Sequence, residues 1–207
     1  MGSGHAARER GRLIGRLLRL ARDVLLGLAA LAAALAFVLA LLTVRVEGTS
    51  MAPSLRDGDD LVADKLLVRW EPPRRGDIVV VLEPSGVPAV KRVIGLPGDT
   101  VEIDGATVLL EPAGTGAWRR LEEPYVQPGW QWPDSCCDPD GRATTGARPL
   151  TLPAGQFFVL GDNRNVSIDS RTFGLVPRDR IVARAMLRYW PLPRWGTLDV
   201  EPALLPE

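Results

Sequence analysis

Residues 77–110 read DIVVVLEPSGVPAVKRVIGLPGDTVEIDGATVLL, so that short apolar runs alternate with Gly, Pro and Asp. The runs from Asp77 to Leu82 and from Val87 to Ile94 are rich in Val and Ile, which favours β-strands. The run from Thr100 to Leu110 carries Asp104-Gly105 near its centre, a dipeptide typical of a β-hairpin turn. This stretch therefore predicts antiparallel β-structure.

The same composition recurs on both sides of this stretch. Leu61 to Val68, Gln156 to Leu160 and Ile181 to Trp190 are further predicted strands. Residues 113–148 differ, because they are rich in Trp, Pro, Gly and Asp, and they predict a small inserted subdomain. We expect a mostly β chain with no long helix after residue 45. Its predicted parts are a β domain in two pieces (45–112 and 149–193), the inserted subdomain (113–148) and a C-terminal tail (194–207).

Residues 24–44 read VLLGLAALAAALAFVLALLTV and contain no charged residue. A helix of this length is about 30 Å long, which matches the hydrocarbon thickness of a bilayer. The segment therefore predicts one N-terminal transmembrane anchor. A buried core helix is one alternative. A cleaved signal peptide is another, although its apolar region would normally be shorter and followed by a polar stretch with a small-x-small site.

Basic residues are concentrated before this segment. Residues 1–23 carry six arginines and two acids, Glu9 and Asp23, although the net charge of the whole chain is zero. Because Lys and Arg are enriched on the cytoplasmic side of membrane segments, we predict a cytoplasmic basic tail. The chain would then pass once through the cell membrane and be extracytoplasmic from Arg45 onward. The zero net charge gives no reason to expect a nucleic-acid partner.

The residue inventory excludes several kinds of catalytic site. The only histidine, His5, lies in the basic tail, so a Ser-His-Asp or Cys-His mechanism has no base. The two cysteines, Cys136 and Cys137, are adjacent, and a disulfide between neighbours is strained. We interpret them as loop thiols. With one histidine and no second cysteine pair, we predict neither a metal site nor a cofactor.

Lysine is rare in this chain, since only Lys65 and Lys91 among the 25 basic residues are lysines. Arginine stays charged in proteins, whereas a buried lysine can be neutral near pH 7. Lys91 lies in an apolar run, where burial would lower its pKa. A neutral amine can activate a serine hydroxyl, and Ser50 lies just beyond the apolar segment. Taken alone, each residue is also consistent with an ordinary surface lysine or turn serine.

Three motifs follow one another along the chain: GTSMAPSL at 48–55, VKRVIGLPGD at 90–99 and GDNRNVSIDSR at 161–171. In this order they resemble the type I signal peptidases of bacteria. These membrane-bound serine endopeptidases use a Ser-Lys dyad to remove signal peptides from exported preproteins after Ala-x-Ala-like sites. The resemblance extends from the apolar segment to about Pro191. It implies an antiparallel β-sheet protease domain, signal peptides and the lipid bilayer as partners, and a monomeric enzyme.

The resemblance also implies roles for individual residues. Ser50 would be the nucleophile and would place its backbone N–H in the oxyanion hole, Lys91 would be the general base, and Ser167 would hold the lysine amine. A salt-bridged scaffold beside the site would comprise Arg92, Asp162, Asp169 and Arg171. The pockets for small substrate side chains would be lined by Val46, Met51, Leu55 and Val90. Gly48 departs from family members that carry a serine there as a further oxyanion donor.

Two other interpretations are open at this point. A non-catalytic, membrane-tethered β domain would bind peptides as an added strand, and it would retain the scaffold while losing the dyad. A Ser-Lys autoprotease of the repressor type would need a DNA-binding region. The sequence offers no basic recognition helix for such a region.

Overall fold

A computed structural model describes residues 3–131, 135–136, 138, 140, 142–144, 148–198 and 202–206. The chain divides into two units, residues 1–42 and residues 43–207. Cys137 lies outside the described residues, as does the side chain of Cys136, so the interpretation of the two thiols stays a prediction.

The first unit contains the helix α1 (Ser3–Leu42). This helix begins inside the predicted basic tail. The prediction that the helix reaches Val44 is wrong, because Thr43 and Val44 pair with a neighbouring strand, as their β-branched side chains favour. Among the residues that the structure describes, no helix has both the length and the apolar character needed to cross a membrane.

The second unit is mostly β-structure, with a short helix, α2 (Ser170–Phe173), in its C-terminal third. Its described strands are β1 (Thr43–Arg45), β2 (Asp60–Asp64), β3 (Ile78–Leu82), β4 (Pro88–Gly95), β5 (Thr100–Asp104), β6 (Thr107–Glu111), β7 (Arg119–Leu121), β8 (Ser135–Cys136), β9 (Ala143–Thr144), β10 (Leu150–Thr151), β11 (Gln156–Leu160), β12 (Val176–Pro177), β13 (Ile181–Trp190), β14 (Gly196–Thr197) and β15 (Leu204–Pro206). Their pairings are antiparallel. This confirms the predicted mostly β, antiparallel fold.

The strands form two sheets. The first has the order β1-β2-β13-β3-β4-β11-β12, with β14 beside β13. The second has the order β15-β7-β6-β5-β8-β9, with β10 also paired to β5. The predicted inserted subdomain contributes β7, β8 and β9 to the second sheet, whereas β5, β6, β10 and β15 come from outside it. The domain limits themselves stay a prediction.

Most predicted strands lie where the sequence placed them. β11 and β13 coincide with the predicted runs, and the β5–β6 hairpin turns at Gly105, which has φ +57°. The predicted strand from Leu61 to Val68 is too long. β2 ends at Asp64, because the carboxylate of Asp64 accepts the N–H of Leu66 at 2.9 Å and the chain enters a 3-10 turn at Leu67–Arg69.

Two features of the core position the site. The end of β4 approaches the second sheet at Gly95, where an added Cβ would lie 2.8 Å from a methyl carbon of Val101. Only glycine permits this close approach of the two sheets. Beneath the loop between β1 and β2 lies an apolar cluster that consists of Val46, Met51, Leu55, Leu61, Ile78, Ala185 and Leu198.

Candidate active site

Ser50 lies in the loop between β1 and β2, and this loop is fixed on both sides of the serine. Gly48 has φ +83°, a backbone region that favours glycine, and its N–H donates to Asp57 Oδ1 at 2.8 Å. Beyond Ser50, the N–H of Leu55 donates to the carbonyl of Met51 at 2.9 Å. Because both of these side chains are buried in the core, the half-buried Ser50 is presented from an anchored turn.

Lys91 lies on β4, opposite Val79 of β3, and only 3% of it is exposed. Burial lowers the pKa of the Lys91 amine from its ordinary value, because desolvation disfavours the ammonium form. The carboxylates of Asp169 and Glu83 act in the opposite sense and raise this pKa, but their effect is smaller. The Lys91 amine therefore loses its proton at a lower pH than the amine of an exposed lysine does.

Ser50 and Lys91 line the same cavity, which has a volume of about 490 Å³. The structure thus brings together a hydroxyl and a desolvated amine that are 41 positions apart in the sequence. The apolar part of the lining comes from β1, the β3–β4 hairpin and the third motif and comprises Val44, Val80, Val87, Pro88, Ala89, Val90, Val166 and Ile168.

Ser167 belongs to the third motif and lies near the loop that carries Ser50. Its Oγ is buried and makes no hydrogen bond to any residue that the structure describes. A Cβ added to Gly161 would overlap Ser167 Oγ and would lie 2.5 Å from the carbonyl oxygen of Ser50. The absence of a side chain at Gly161 therefore allows the loop that carries Ser167 to pack against Ser50.

The four predicted scaffold residues form two buried ion pairs beside the cavity. Arg92 donates to Asp162 through Nε at 2.9 Å and Nη2 at 2.7 Å. Arg171 donates to Asp169 through Nε at 2.9 Å and Nη2 at 2.8 Å. Asp169 also accepts the N–H of Gly161 at 3.0 Å. Because each guanidinium is paired with a carboxylate in bidentate geometry, these charges can be buried next to the site.

The structure places the predicted pocket residues in two different environments. Val90 lines the cavity. Val46, Met51 and Leu55 are no more than 3% exposed and belong to the core cluster beneath the loop. They support the position of Ser50 from below, whereas the described cavity lining is drawn from other residues.

A family model for signal peptidase, peptidase S26, matches residues 18–190. The chain belongs to this signal peptidase family. It is 40% identical over 169 residues to a signal peptidase I from Leptolyngbya laminosa, an alignment that covers 76% of this chain and 73% of the relative. It is 37% identical over 152 residues to a signal peptidase I from Bacillus caldolyticus, covering 73% of this chain and 80% of the relative.

A crystal structure of a signal peptidase I from Enterococcus faecalis matches with a TM-score of 0.39 and 31% sequence identity, covering 54% of this chain and 94% of that chain. The family match and the relatives confirm the predicted family and enzyme class, a serine endopeptidase of the signal peptidase type. They exclude the non-catalytic and repressor-type interpretations.

Sequence reasoning did not single out several residues of this signal peptidase that contact its motifs. Arg164 lies inside the third motif and is 2% exposed, and it pairs with Glu123. Tyr125 and Trp130 stack on motif arginines. An acid beside an aromatic residue is a weak sequence signal, and the partner of Glu123 lies 41 residues further along the chain. Only the fold shows this pairing.

Proposed function

We propose that this signal peptidase cleaves signal peptides from exported preproteins with a Ser-Lys dyad, in which Ser50 is the nucleophile and Lys91 is the general base. The observation that supports this proposal most directly is the burial of the Lys91 side chain in the cavity that Ser50 also lines. Burial lowers the pKa of the amine, and a neutral amine can accept the serine proton.

The chemistry uses one proton carrier in two steps. In acylation, Lys91 Nζ accepts the proton of Ser50 Oγ as this oxygen bonds to the scissile carbonyl carbon. The ammonium then gives the proton to the departing nitrogen, the C–N bond breaks, and an ester remains on Ser50. In deacylation, Lys91 Nζ takes a proton from the attacking water. It returns that proton to Ser50 Oγ as the signal peptide leaves with a new carboxyl group.

Two other groups complete the proposed site. Ser167 would orient the Lys91 amine, and its buried hydroxyl without a hydrogen-bond partner among the described residues supports this role. The backbone N–H of Ser50 would stabilise the oxyanion. The ion pairs Arg92–Asp162 and Asp169–Arg171 would act as a scaffold, because they fix the segments that carry Lys91 and Ser167.

The substrate would bind as an added strand along β4. Glu83 and Val87 are joined by a ladder hydrogen bond, and hydrogen bonding alternates along an antiparallel pair. The N–H and C=O of Val90 therefore point away from β3. In the described strands, β11 pairs with β4 only from Arg92 onward. This leaves Pro88–Val90 as an open edge, and a peptide there would present small side chains, as in Ala-x-Ala, to the apolar cavity wall.

We also propose that the apolar part of α1, residues 24–42, anchors the enzyme as a single pass in the cell membrane, with residues 1–23 in the cytoplasm and the protease domain outside. This proposal rests on the uncharged sequence of the segment and the arginines before it. The tether would bring the active site of the monomer to the end of a membrane-held signal peptide.

The test is cleavage of an exported preprotein with an Ala-x-Ala site by the full chain in detergent. Lys91→Arg is the decisive variant, because arginine keeps the positive charge but stays protonated. We expect no cleavage by Lys91→Arg or by Ser50→Ala. Cleavage by Lys91→Arg at the wild-type rate would overturn the proposed mechanism.

A further inference from the structure

The segment Glu123–Trp130, which follows β7, contacts two motif arginines at once. Glu123 and Trp130 contact Arg164, and Tyr125 contacts Arg92. None of these three side chains, Glu123, Tyr125 and Trp130, belongs to the described lining of the active-site cavity. Their contacts therefore reach the site only through the arginines.

Arg164 is held by this segment on one side and by the third motif on the other. Its Nη1 donates to Glu123 Oε2 at 2.8 Å, and its Nη2 donates to Glu123 Oε1. Its Nε donates to the carbonyl of Gly161 at 3.1 Å, and its Cζ lies 4.9 Å from the centroid of the Trp130 ring. Desolvation lowers the pKa of Arg164, but Glu123, together with Tyr125 and Asp162, outweighs this effect and the pKa is raised. The buried guanidinium therefore keeps its positive charge.

Tyr125 extends the same contacts to the second motif. Its ring centroid lies 3.9 Å from Cζ of Arg92, and its hydroxyl donates to Glu123 Oε1 at 3.1 Å. Burial raises the pKa of Tyr125, so the phenol remains a donor. Glu123 thus accepts hydrogen bonds from both Arg164 and Tyr125, and it links the two motifs from outside the cavity.

The segment has an attachment of its own in the second sheet. The N–H of Glu122 donates to the carbonyl of Ala203 at 2.8 Å, next to the pairing of β7 with β15. The second sheet is therefore linked to Gly161 through Glu123 and Arg164. Gly161 packs against the carbonyl of Ser50 and against Ser167 Oγ so closely that no side chain fits there.

We propose that Glu123–Trp130 is a positioning clamp that sets the loop from Gly161 to Ser167 against Ser50 and Lys91. This inference rests on the proposed Ser-Lys dyad. Without the Glu123 carboxylate, the buried guanidinium of Arg164 loses its counter-charge and pulls away from Gly161 toward water. The packing of Gly161 between Ser167 and Ser50 then loosens, although no group proposed to touch substrate has been removed.

The test compares Glu123→Gln and Glu123→Asp in the full chain in detergent, with cleavage of an Ala-x-Ala preprotein as the assay. For Glu123→Gln we expect kcat to fall at least about tenfold with little change in KM, because small displacements of reacting groups are costly. Glu123→Asp should recover most of this loss. The matched control is Arg184→Gln, which breaks ion pairs with Glu71 and Asp77 outside the cavity and should leave kcat unchanged.

A pH profile separates positioning from simple loss of fold. The charged groups facing Lys91, namely Asp169, Glu83 and Arg171, are unaltered in Glu123→Gln. A loosened loop admits water to the amine, so the acid limb of kcat/KM should move to higher pH. If Glu123 were needed only for folding, Glu123→Gln would reduce the folded fraction and leave the acid limb of kcat/KM at its wild-type pH. An unmoved limb with wild-type kcat would overturn the clamp.

A second pair of variants decides the matter if Glu123→Gln does not fold. Tyr125→Phe keeps the ring over Arg92 and should retain most activity, whereas Tyr125→Leu removes the ring and should lower kcat. Wild-type kcat in Tyr125→Leu would overturn the proposal. If Lys91→Arg is inactive and Glu123→Gln is fully active, the positioning clamp is overturned and the proposed dyad stands. If Lys91→Arg is active and Glu123→Gln is impaired, the Ser-Lys dyad is overturned, whereas the positioning effect of Glu123 stands.

Discussion

The backbone N–H of Asn163 donates a hydrogen bond of 3.0 Å to the carbonyl oxygen of Ser50. This bond joins the first and third motifs, which are more than a hundred residues apart in the chain. It leaves the hydroxyl of Ser50 available to the cavity, while its main chain is fixed by a segment that also carries Ser167. The proposed nucleophile and the proposed lysine-orienting serine therefore belong to one hydrogen-bonded unit.

The two lysines of the chain provide a matched pair for testing the general base. Lys91→Arg should lower kcat/KM by at least about 10³-fold, because removing one member of a catalytic unit abolishes most of its chemistry. Lys65→Arg, at a position outside the cavity lining, should cleave an Ala-x-Ala preprotein like the wild type. Equal activities of the two variants would contradict the assignment of Lys91.

The pH dependence of cleavage should follow Lys91. Only its neutral form accepts a proton, so kcat/KM should rise with pH through the pKa of Lys91, which burial holds below the ordinary lysine value. Glu83 raises this pKa, and Glu83→Gln should therefore shift the acid limb to lower pH. A shift to higher pH, or none, would argue against Lys91 as the titrating group.

Stability should depend on pH for the same reason. Since the folded-state pKa of Lys91 is below the unfolded one, the unfolded chain binds more protons between the two values, and wild-type stability should increase with pH there. Lys91→Met carries no charge to bury, so this contribution should disappear. Thermal unfolding of both proteins across the alkaline range checks the prediction, and identical pH slopes would contradict it.

Gly161 should not tolerate even one added methyl group. Gly161→Ala places a Cβ against Ser167 Oγ and 2.5 Å from the carbonyl oxygen of Ser50, which must separate the two segments. We expect kcat to fall by about 10²-fold, as for other displacements of about 1 Å at reacting groups. Gly196→Ala, where nothing lies within 4 Å of the added Cβ, is the control for a glycine substitution and should be fully active.

The Arg92–Asp162 pair should matter for stability as well as activity. Both side chains are no more than 1% exposed, so Asp162→Asn leaves a buried, unpaired charge and should lower the free energy of unfolding by about 3–5 kcal/mol. Asp140→Asn breaks a pair with Arg142 that is more than half exposed, and it should have little effect. Denaturant unfolding of both variants makes the comparison, and equal losses would refute the distinction.

Several strand positions could be predicted from the sequence, for physical reasons. β11 and β13 were predicted with their observed limits because apolar runs bounded by Gly, Pro and Asp leave few other conformations. Ser50 and Lys91 share a cavity, as a dyad requires. The turn after Asp64 was missed, because a side chain that accepts the backbone N–H two residues further on ends a strand without any break in the apolar pattern.

Other features depended on tertiary contacts. Val46, Met51 and Leu55 are as apolar as Val90, and only packing decides that Val90 lines the cavity while they fill the core. The two-residue strands of the second sheet are too short to show an alternating pattern. The Glu123–Arg164 pair joins distant segments, and no local rule relates them.

The open edge at Pro88–Val90 also bears on how this protein avoids edge-to-edge aggregation. An unpaired strand edge is a template for uncontrolled sheet growth between molecules. Pro88 has no N–H to offer, and the ladder to β11 begins at Arg92, so Val90 alone presents both backbone groups. Two molecules meeting edge to edge could therefore exchange only a few backbone hydrogen bonds, and a peptide bound along this edge, as we propose, would also be held by a short ladder.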